Sequence, residues 1–316
     1  MSVASKVVWM DGELVPYEDA TVHFLTPALH YGIGVFEGIR CYSTGRGPAV
    51  FRLAEHVARL LDSARCLGFK ELPFSARELE DAALEVVTAN GFGECYIRPL
   101  LFLDAGGWNL NIDGGRPRVG IAAWEWPRYL GREALENGVR ANVSSFTRHH
   151  PNVTLTKAKI SGNYVNSFLA KTESVRLGFD EAILLDPDGY VAECTGENLF
   201  LVRGGALVTT PSAPILEGIT RDTLVTLAGD LGLDVVEATI SRDQLYTADE
   251  VFVCGTAAEC VALREIDFRT IGNGATGPIT RRLQRAYHAA VRGEDPRSEG
   301  WCSYVESVES RARATG

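Results

Sequence analysis

The chain alternates between short apolar runs and longer segments in which apolar residues recur three and four positions apart. This helical spacing predicts α-helices over residues 51–67 and 78–90, and Gly68 ends the first of them. Cys95–Leu103 and Arg118–Trp124 are apolar runs of strand length. The first part of the chain is therefore predicted to combine α-helices with β-strands.

The second part of the chain follows the same mixed pattern. A strand is predicted near residues 139–146 and a helix from about Gly162 to Leu177. Two hairpins follow, with turns at residues 186–189, Asp-Pro-Asp-Gly, and at residues 203–205, Arg-Gly-Gly. The further helices predicted are Thr220–Ala228 and a last one after Gly277-Pro278.

The periodicity breaks around Pro127 and Gly131, and we place the domain boundary there. The predicted organisation is a small N-terminal domain of residues 1–125, an interdomain loop of residues 126–138 and a large C-terminal domain of residues 139–316. Regular strand–helix–strand alternation is missing and no GxGxxG sequence follows a strand, which argues against a dinucleotide-binding fold. The pattern predicts a mixed α/β or α+β protein.

Composition narrows the class of protein further. The 316 residues are 46% hydrophobic and carry a net charge of −10 without a long basic run, so no nucleic-acid partner is expected. The seven scattered cysteines favour free thiols over disulfides. Asp11 and Glu13 interrupt the segment where a signal peptide needs an apolar core, and no apolar run reaches the ~20 residues of a membrane helix. We expect a cytoplasmic protein without a membrane partner.

Lysine is scarce, which makes two of its positions candidates for chemistry. Only five of the 31 basic residues are lysine, and Lys157 and Lys159 lie just before a predicted helix. A lysine amine can form a Schiff base with a carbonyl, which arginine cannot. Taken alone, a lysine at such a position is usually a surface residue. His149 and His150 lack a carboxylate or cysteine at ligand spacing, so no metal site is predicted.

Later segments offer the other parts that a pyridoxal-phosphate site needs. Such a site needs a carboxylate for the pyridine nitrogen and a cup of donors for the phosphate. Glu193 ends a predicted hairpin strand, Thr220 begins a predicted helix and Thr256 follows an apolar strand. Each has an ordinary explanation as well: a solvated acid, a helix N-cap and a strand-to-loop turn.

Six motifs in a fixed order resemble those of the branched-chain amino acid aminotransferases, which are fold type IV pyridoxal-phosphate enzymes. The resemblance runs from about Trp9 to Val291. The motifs are His30-Tyr-Gly with Val35-Phe-Glu-Gly-Ile-Arg40, Tyr96-Ile-Arg-Pro99, Lys159-x-x-Gly-x-Tyr164, Glu193-x-x-x-Glu-Asn-Leu-Phe200, Gly218-Ile-Thr-Arg-Asp222 and Gly255-Thr-Ala-Ala-Glu259.

The resemblance implies both a fold and an activity. The implied fold is similar to that of D-amino acid aminotransferase, with a small α/β domain and a larger domain built around a β-barrel-like core. The implied activity is that of a branched-chain-amino-acid transaminase, which converts leucine, isoleucine or valine with 2-oxoglutarate into branched 2-oxo acids and L-glutamate by a ping-pong reaction. The alternatives are a D-amino acid or (R)-amine transaminase, aminodeoxychorismate lyase, and a catalytically silent cofactor-binding protein.

The resemblance assigns the cofactor contacts residue by residue. Catalytic Lys159 would hold pyridoxal 5'-phosphate as a Schiff base, whereas Lys157 does not match the catalytic position. The acid Glu217 lies beside the implied phosphate cup without an evident reason. The other cofactor contacts implied are Tyr164 to the phenolic oxygen, Glu193 to the pyridine nitrogen, and Arg59, Ile219, Thr220 and Thr256 to the phosphate.

The substrate contacts are implied in the same way. Arg98 would meet the side-chain carboxylate of glutamate or 2-oxoglutarate, and Tyr31 would reach in from a partner subunit of a homodimer. Trp108 is expected to narrow or redirect the side-chain pocket if its loop caps the site. The α-carboxylate would be held by Tyr96, Thr256 and Ala257, and the other substrate-binding positions implied are Phe36, Gly38, Trp126, Tyr129 and Tyr164.

Overall fold

The computed structural model describes residues 5–126 and 132–305. Short 3-10 helices lie at Tyr17–Asp19 and Ser161–Asn163. The α-helices are α1 (Pro27–Tyr31), α2 (Leu53–Leu67), α3 (Ala76–Asn90), α4 (Arg132–Asn137), α5 (Tyr164–Arg176), α6 (Ile219–Asp230), α7 (Arg242–Tyr246), α8 (Pro278–Val291) and α9 (Ser298–Trp301). The strands are β1 (Val7–Met10), β2 (Glu13–Pro16), β3 (Gly34–Phe36), β4 (Ile39–Thr44), β5 (Gly47–Phe51), β6 (Cys95–Ala105), β7 (Arg116–Trp124), β8 (Val139–Val143), β9 (Glu181–Leu185), β10 (Val191–Cys194), β11 (Asn198–Arg203), β12 (Ala206–Thr209), β13 (Val235–Glu237), β14 (Glu250–Gly255), β15 (Glu259–Ile266), β16 (Arg269–Thr270) and β17 (Cys302–Tyr304).

Helix α2 shows how the apolar spacing is used. The stripe that predicted the helix is buried, and Gly68 ends it with a left-handed φ of 95°. The helix begins at Leu53 and not at residue 51, because Phe51 belongs to β5 and Arg52 has a left-handed φ of 54°. Local periodicity therefore gave the helix correctly and missed the strand that runs into it.

The first compact unit contains, of the described residues, 5–126, 158–162 and 289–305. Its sheet has the strand order β17-β5-β4-β6-β7-β1-β2, with β3 beside β6, and its strand pairs in the described ranges are antiparallel. Helices α2 and α3 pack with this sheet in one apolar core. The short segment 158–162 joins the unit because Ile160 forms a bridge with Val35.

The second unit contains residues 132–157 and 163–288 of the described chain. Its sheet runs β10-β9-β8-β15-β14-β11-β12-β13, with β16 beside β15. Strand β8 is parallel to both β9 and β15, and β12 is parallel to β13. The two hairpins predicted around residues 186–189 and 203–205 are confirmed as β9–β10 and β11–β12.

The compact units are discontinuous in sequence, since residues 158–162 and 289–305 belong with the first unit. The domains predicted as 1–125, 126–138 and 139–316 stay a prediction. In the described ranges, no helix has both the length and the apolar character needed to cross a membrane.

Candidate active site

Lys159 is fixed in the first unit through its backbone. Its N–H donates to Ser63 Oγ on α2 at 3.0 Å, and its carbonyl accepts from Phe36 N at 3.1 Å. The residue is half-buried, and Nζ lies 5.0 Å from the centroid of the Phe36 ring. The amine is therefore held against an aromatic face by contacts with α2 and β3.

Two motif glycines explain why this segment can lie so close to the start of β3. Gly162 N donates to Gly32 O at 3.2 Å. A Cβ on Gly32 would lie 2.8 Å from Gly162 Cα, and Gly32 has a left-handed φ of 67°. Only glycine meets both demands without strain, so two motifs that are far apart in sequence form one backbone contact.

Arg98 is on β6, and its side chain lies among three aromatic rings. Its Cζ is 4.6 Å from the centroid of Phe36, 5.3 Å from that of Tyr96 and 5.9 Å from that of Trp124. Its Nη2 donates to Tyr96 Oη at 3.2 Å, whereas the buried Nε has no hydrogen-bond partner among the described residues. A buried guanidinium donor without a partner is suited to a carboxylate ligand.

The other predicted substrate residues of this unit gather around Tyr96. Trp126 meets the Tyr96 ring edge to face, with centroids 4.6 Å apart. A Cβ on Gly38 would lie 1.8 Å from Tyr96 Oη, so only glycine leaves room for this tyrosine. Phe36, Gly38, Tyr96, Arg98 and Trp126 are thus brought together, and Tyr129 lies outside the described residues.

Tyr31 occupies a different place in the same unit. It lies on α1, is 43% exposed and packs against Trp108, with ring centroids 5.8 Å apart. His30 also contacts Trp108, at a centroid distance of 5.0 Å. The loop that carries Trp108 therefore packs on α1. The side chains of Tyr31 and Trp108 remain exposed.

Arg59 is bound to a carboxylate that we did not select from the sequence. Its Nε and Nη2 donate to the two oxygens of Glu37 at 2.6 and 2.9 Å. Burial by itself raises the pKa of Glu37, but Arg59 and His56 outweigh it and hold the pKa well below its usual range. Glu37 is therefore ionised although it has no exposed surface.

Glu193 is a buried carboxylate in the second unit. Its Oε1 lies 2.7 Å from Arg148 Nε, and the N–H is not aligned for a hydrogen bond, so charge attraction dominates. Its Oε2 accepts from Asn198 Nδ2 at 3.3 Å and from Leu216 N at 3.2 Å. Sequence reasoning identified Glu193 and missed Arg148 and Asn198, which hold it.

Asn198 also connects Glu193 to the start of α6. Its Nδ2 donates to Leu216 O at 3.0 Å, and its Oδ1 lies 2.0 Å from where a Cβ on Gly218 would stand. Gly218 is the N-cap, so α6 begins at Ile219 and Thr220, both buried. The N-terminus of a helix attracts anions through its backbone N–H groups.

Lys157 and Glu217 form an ion pair close to the start of α6. Lys157 Nζ lies 3.1 Å from a Glu217 carboxylate oxygen and donates to the carbonyls of Ser212 and Ile215. The acid that had no evident reason in the sequence is the counter-charge of the second lysine. The amine of Lys157 therefore makes structural contacts near the start of α6.

The remaining cofactor candidates lie at the ends of elements in the second unit. Tyr164 is the first residue of α5 and is half-buried. Thr256 and Ala257 form the turn between β14 and β15 and are half-buried as well. A Cβ on the preceding Gly255 would lie 3.0 Å from Gly196 O, so this turn needs a small residue there.

His149 lies next to Arg148, the residue that pairs with Glu193. It is half-buried and its Nδ1 lies 3.1 Å from Arg148 Nη1. Burial and the Arg148 charge lower the pKa of His149 to about 4, so the ring is neutral at neutral pH. His150 is exposed.

The chain belongs to the class IV aminotransferases. The family model described as amino-transferase class IV matches residues 34–266. The branched-chain-amino-acid aminotransferase of Pseudomonas aeruginosa is 47% identical over 308 residues, covering 97% of this chain and all of that protein.

Solved structures agree with this membership. A branched-chain amino acid aminotransferase of T.th. solved with pyridoxamine 5'-phosphate has a TM-score of 0.93 and 50% identity, over 96% of this chain and all of that one. The same enzyme complexed with N-(5'-phosphopyridoxyl)-L-glutamate has a TM-score of 0.91 and 48% identity, with the same coverage. The predicted family and the predicted fold class are confirmed.

Proposed function

We propose that this chain is a pyridoxal-phosphate-dependent transaminase of branched-chain L-amino acids with 2-oxoglutarate as amino acceptor. The observation that carries the proposal is an amine and a guanidinium beside one ring: Lys159 Nζ lies 5.0 Å and Arg98 Cζ 4.6 Å from the Phe36 centroid. An amine and a guanidinium that share one aromatic neighbour suit a substrate with a reacting carbon and a second carboxylate, as in glutamate. The aromatic surroundings suit a branched apolar side chain.

The residues present fit pyridoxal phosphate. Glu193, which lies beside Arg148, offers a buried carboxylate that can pair with a pyridinium nitrogen. The N-terminus of α6 offers backbone N–H groups for a phosphate. When bound, the cofactor supplies a carbonyl that takes the amino group and a ring that stabilises negative charge at the reacting carbon. The residues that would hold it are Arg59, Lys159, Tyr164, Glu193, Ile219, Thr220 and Thr256.

The side chains then have separate tasks. Lys159 Nζ carries the proton that leaves the α-carbon, because a half-buried amine held through its backbone can both take and return it. Arg98 binds the distal carboxylate of glutamate, and Tyr96 with the N–H groups of Thr256 and Ala257 holds the α-carboxylate. The pocket for the branched side chain is assigned to Phe36, Gly38, Trp126, Tyr129 and Tyr164, with Tyr31 contributed by the partner subunit.

A pair of lysine variants tests the catalytic amine. Lys159→Ala should abolish transamination of L-isoleucine and the visible absorbance of the bound cofactor. Lys157→Ala is the matched control, because its amine pairs with Glu217 and has no role in the reaction. Full turnover by Lys159→Ala, or equal losses in both variants, would contradict the assignment.

A substrate panel tests the reaction class. A half-reaction with L-leucine should bleach the visible band, whereas D-alanine and (R)-phenylethylamine should leave it. The reverse outcome would favour a D-amino acid or (R)-amine transaminase. For the side-chain carboxylate, Arg98→Ala should raise the Michaelis constant for the amino acceptor 2-oxoglutarate more than that for leucine, and equal changes would remove Arg98 from this role.

A homodimer is part of the proposal. Val165, Phe168 and Leu169 lie on one side of α5 and are 62%, 72% and 48% exposed. Exposed apolar faces of this kind are typical of subunit interfaces, and we assign this one to a second copy of the chain. Light scattering should give the mass of a dimer or a larger assembly, and Phe168→Glu should lower it. A fully active monomer would contradict the assignment.

A cytoplasmic location is the last part of the proposal. All seven cysteines are free thiols, and only Cys66 among them is exposed. Free thiols persist in reducing compartments. Fractionation of expressing cells with an antibody against the chain should recover it in the cytoplasmic fraction, and recovery from the periplasm would contradict this.

A further inference from the structure

A buried carboxylate that the proposed function does not use lies beside Arg59. Glu37 follows Phe36 at the end of β3 and has no exposed surface. Its Oε1 accepts from Arg59 Nε at 2.6 Å and its Oε2 from Arg59 Nη2 at 2.9 Å. This two-point contact engages one edge of the guanidinium and fixes the orientation of its plane.

His56 supplies another donor to the same carboxylate. It lies three residues before Arg59 on α2, is 2% exposed, and its Nδ1 is 2.7 Å from Glu37 Oε2. The N–H of Gly38 is 3.3 Å from the same oxygen. Because the ionised carboxylate can only accept, the proton of His56 is assigned to Nδ1.

The charges around His56 explain why it adds a hydrogen bond and no charge. The groups that face it are Glu37, Arg59 and Lys159. Burial lowers the pKa of His56, and the two cations lower it further, against the opposite effect of Glu37. The ring is therefore neutral at neutral pH, and the contact fixes Glu37 without competing with Arg59 for its charge.

We propose that Glu37 and His56 are positioning residues that hold the Arg59 guanidinium ready for the phosphate of the cofactor. The inference rests on the proposed function, which makes Arg59 a phosphate ligand. An arginine side chain loses rotamer entropy when it binds. If the carboxylate has already fixed that side chain, less entropy remains to be lost when the phosphate arrives.

The direction in which Glu37→Gln changes phosphate affinity separates a positioning role from a purely electrostatic one. Glu37→Gln removes a negative charge beside Arg59, which by charge alone tightens binding of a phosphate. The same change replaces one acceptor by an amide whose N–H groups face the donors of Arg59 and His56. Positioning predicts that the loss of orientation is the larger effect, so that binding becomes weaker.

The measurement is the affinity of the cofactor-free full-length chain for two probes, pyridoxal phosphate and pyridoxal, which lacks the phosphate. Absorbance titration gives both dissociation constants. Glu37→Gln should raise that of pyridoxal phosphate about tenfold, as expected for one charge-assisted hydrogen bond, and should leave that of pyridoxal within about twofold. A general structural defect would weaken both probes equally.

Substitutions at His56 give a second test that keeps the charge of Glu37. His56→Asn retains an N–H donor near the position of Nδ1 and should bind pyridoxal phosphate almost as the parent does. His56→Phe fills the space without a donor and should weaken binding of pyridoxal phosphate by about threefold to tenfold, with pyridoxal unaffected. If Glu37→Gln does not fold, this pair decides.

Two further variants separate the possible failures. Glu265→Gln breaks another Arg–Glu pair, with Arg140 Nη2 2.6 Å from Glu265 Oε1, and should change neither probe. If Arg59→Ala leaves the ratio of the two affinities unchanged, the role of Arg59 in the proposed function fails. The other failure is that Arg59→Ala lowers the preference for pyridoxal phosphate over pyridoxal while Glu37→Gln and His56→Phe leave that preference unchanged or raise it. That result would overturn the positioning role of Glu37 and His56.

Discussion

The ion pair between Arg148 and Glu193 allows a quantitative test of how the second unit holds its buried carboxylate. The side chains are 9% and 8% exposed, and Nε lies 2.7 Å from Oε1. At an effective dielectric constant of about 20, two charges at that separation attract each other by ~6 kcal/mol. The cost of taking both charges out of water offsets most of this. The intact pair therefore adds little net stability.

Removing only the cation is a different matter, because the cost of burying Glu193 remains. Arg148→Met keeps an unbranched side chain and leaves Asn198 Nδ2 and Leu216 N as donors at 3.3 and 3.2 Å. We expect the free energy of unfolding to fall by about 3–5 kcal/mol. Arg148→Met combined with Glu193→Gln should cost clearly less than the two single changes added together, since no unpaired charge stays buried.

The assay is urea denaturation of the cofactor-free chain, followed by circular dichroism at one protein concentration so that assembly does not change between variants. The matched control is Arg140→Met, which breaks a pair with side chains 30% and 27% exposed and should cost about 1 kcal/mol or less. The reasoning fails if Arg148→Met costs less than about 1 kcal/mol, or if the double variant equals the sum of the singles.

Three further predictions follow from close contacts and one shifted pKa. Gly218→Ala places Cβ 2.0 Å from Asn198 Oδ1 and should lower the free energy of unfolding by about 2 kcal/mol in urea denaturation. Gly38→Ala places Cβ 1.8 Å from Tyr96 Oη and should raise the Michaelis constant for the amino acceptor about tenfold in steady-state kinetics. Burial, with nearby acids, raises the pKa of Glu197 from 4.5 to about 8. The folded state binds the extra proton between these values, so stability falls as pH rises, and Glu197→Gln should flatten that fall in denaturation curves from about pH 5 to about pH 8.

Matched glycines serve as controls for the first two of these. Gly229 lies in α6, the helix that Gly218 caps, and an added Cβ there meets no atom within 4 Å, so Gly229→Ala should be neutral or stabilising. Gly93→Ala is the equivalent control for Gly38. Equal losses in a variant and its control would show that the close contact is not the cause. For Glu197, an unchanged pH slope in Glu197→Gln would remove its carboxyl as the source.

Part of the fold and of the site could be predicted because it depends on neighbours in sequence. The apolar stripe of α2 and the glycine that ends it are local features, and the structure confirms both. The two lysines were equal by composition, and the motif with Tyr164 separated them. The structure gives the physical difference: Lys157 is paired with Glu217, whereas the amine of Lys159 faces the Phe36 ring.

The rest depends on pairs that periodicity does not encode. Ser63 holds the backbone of Lys159 from 96 positions away, and Arg148 pairs with Glu193 across the second unit. The inclusion of residues 158–162 in the first unit follows from the bridge between Val35 and Ile160, which no local pattern predicts. These contacts appear only once the chain has folded.

The sequence nevertheless contains a signal for Glu37, the carboxylate that pairs with Arg59. Glu37 stands between Val35-Phe36 and Gly38-Ile39, so a strand-like apolar segment carries one acid. A carboxylate in such a segment must either neutralise or be paired, because an isolated buried charge is very costly. The structure shows the second outcome, with Arg59 and His56 as partners. A lone acid inside an apolar run thus predicts an ion pair with a cation that is distant in sequence. Here that cation is Arg59, the candidate phosphate ligand.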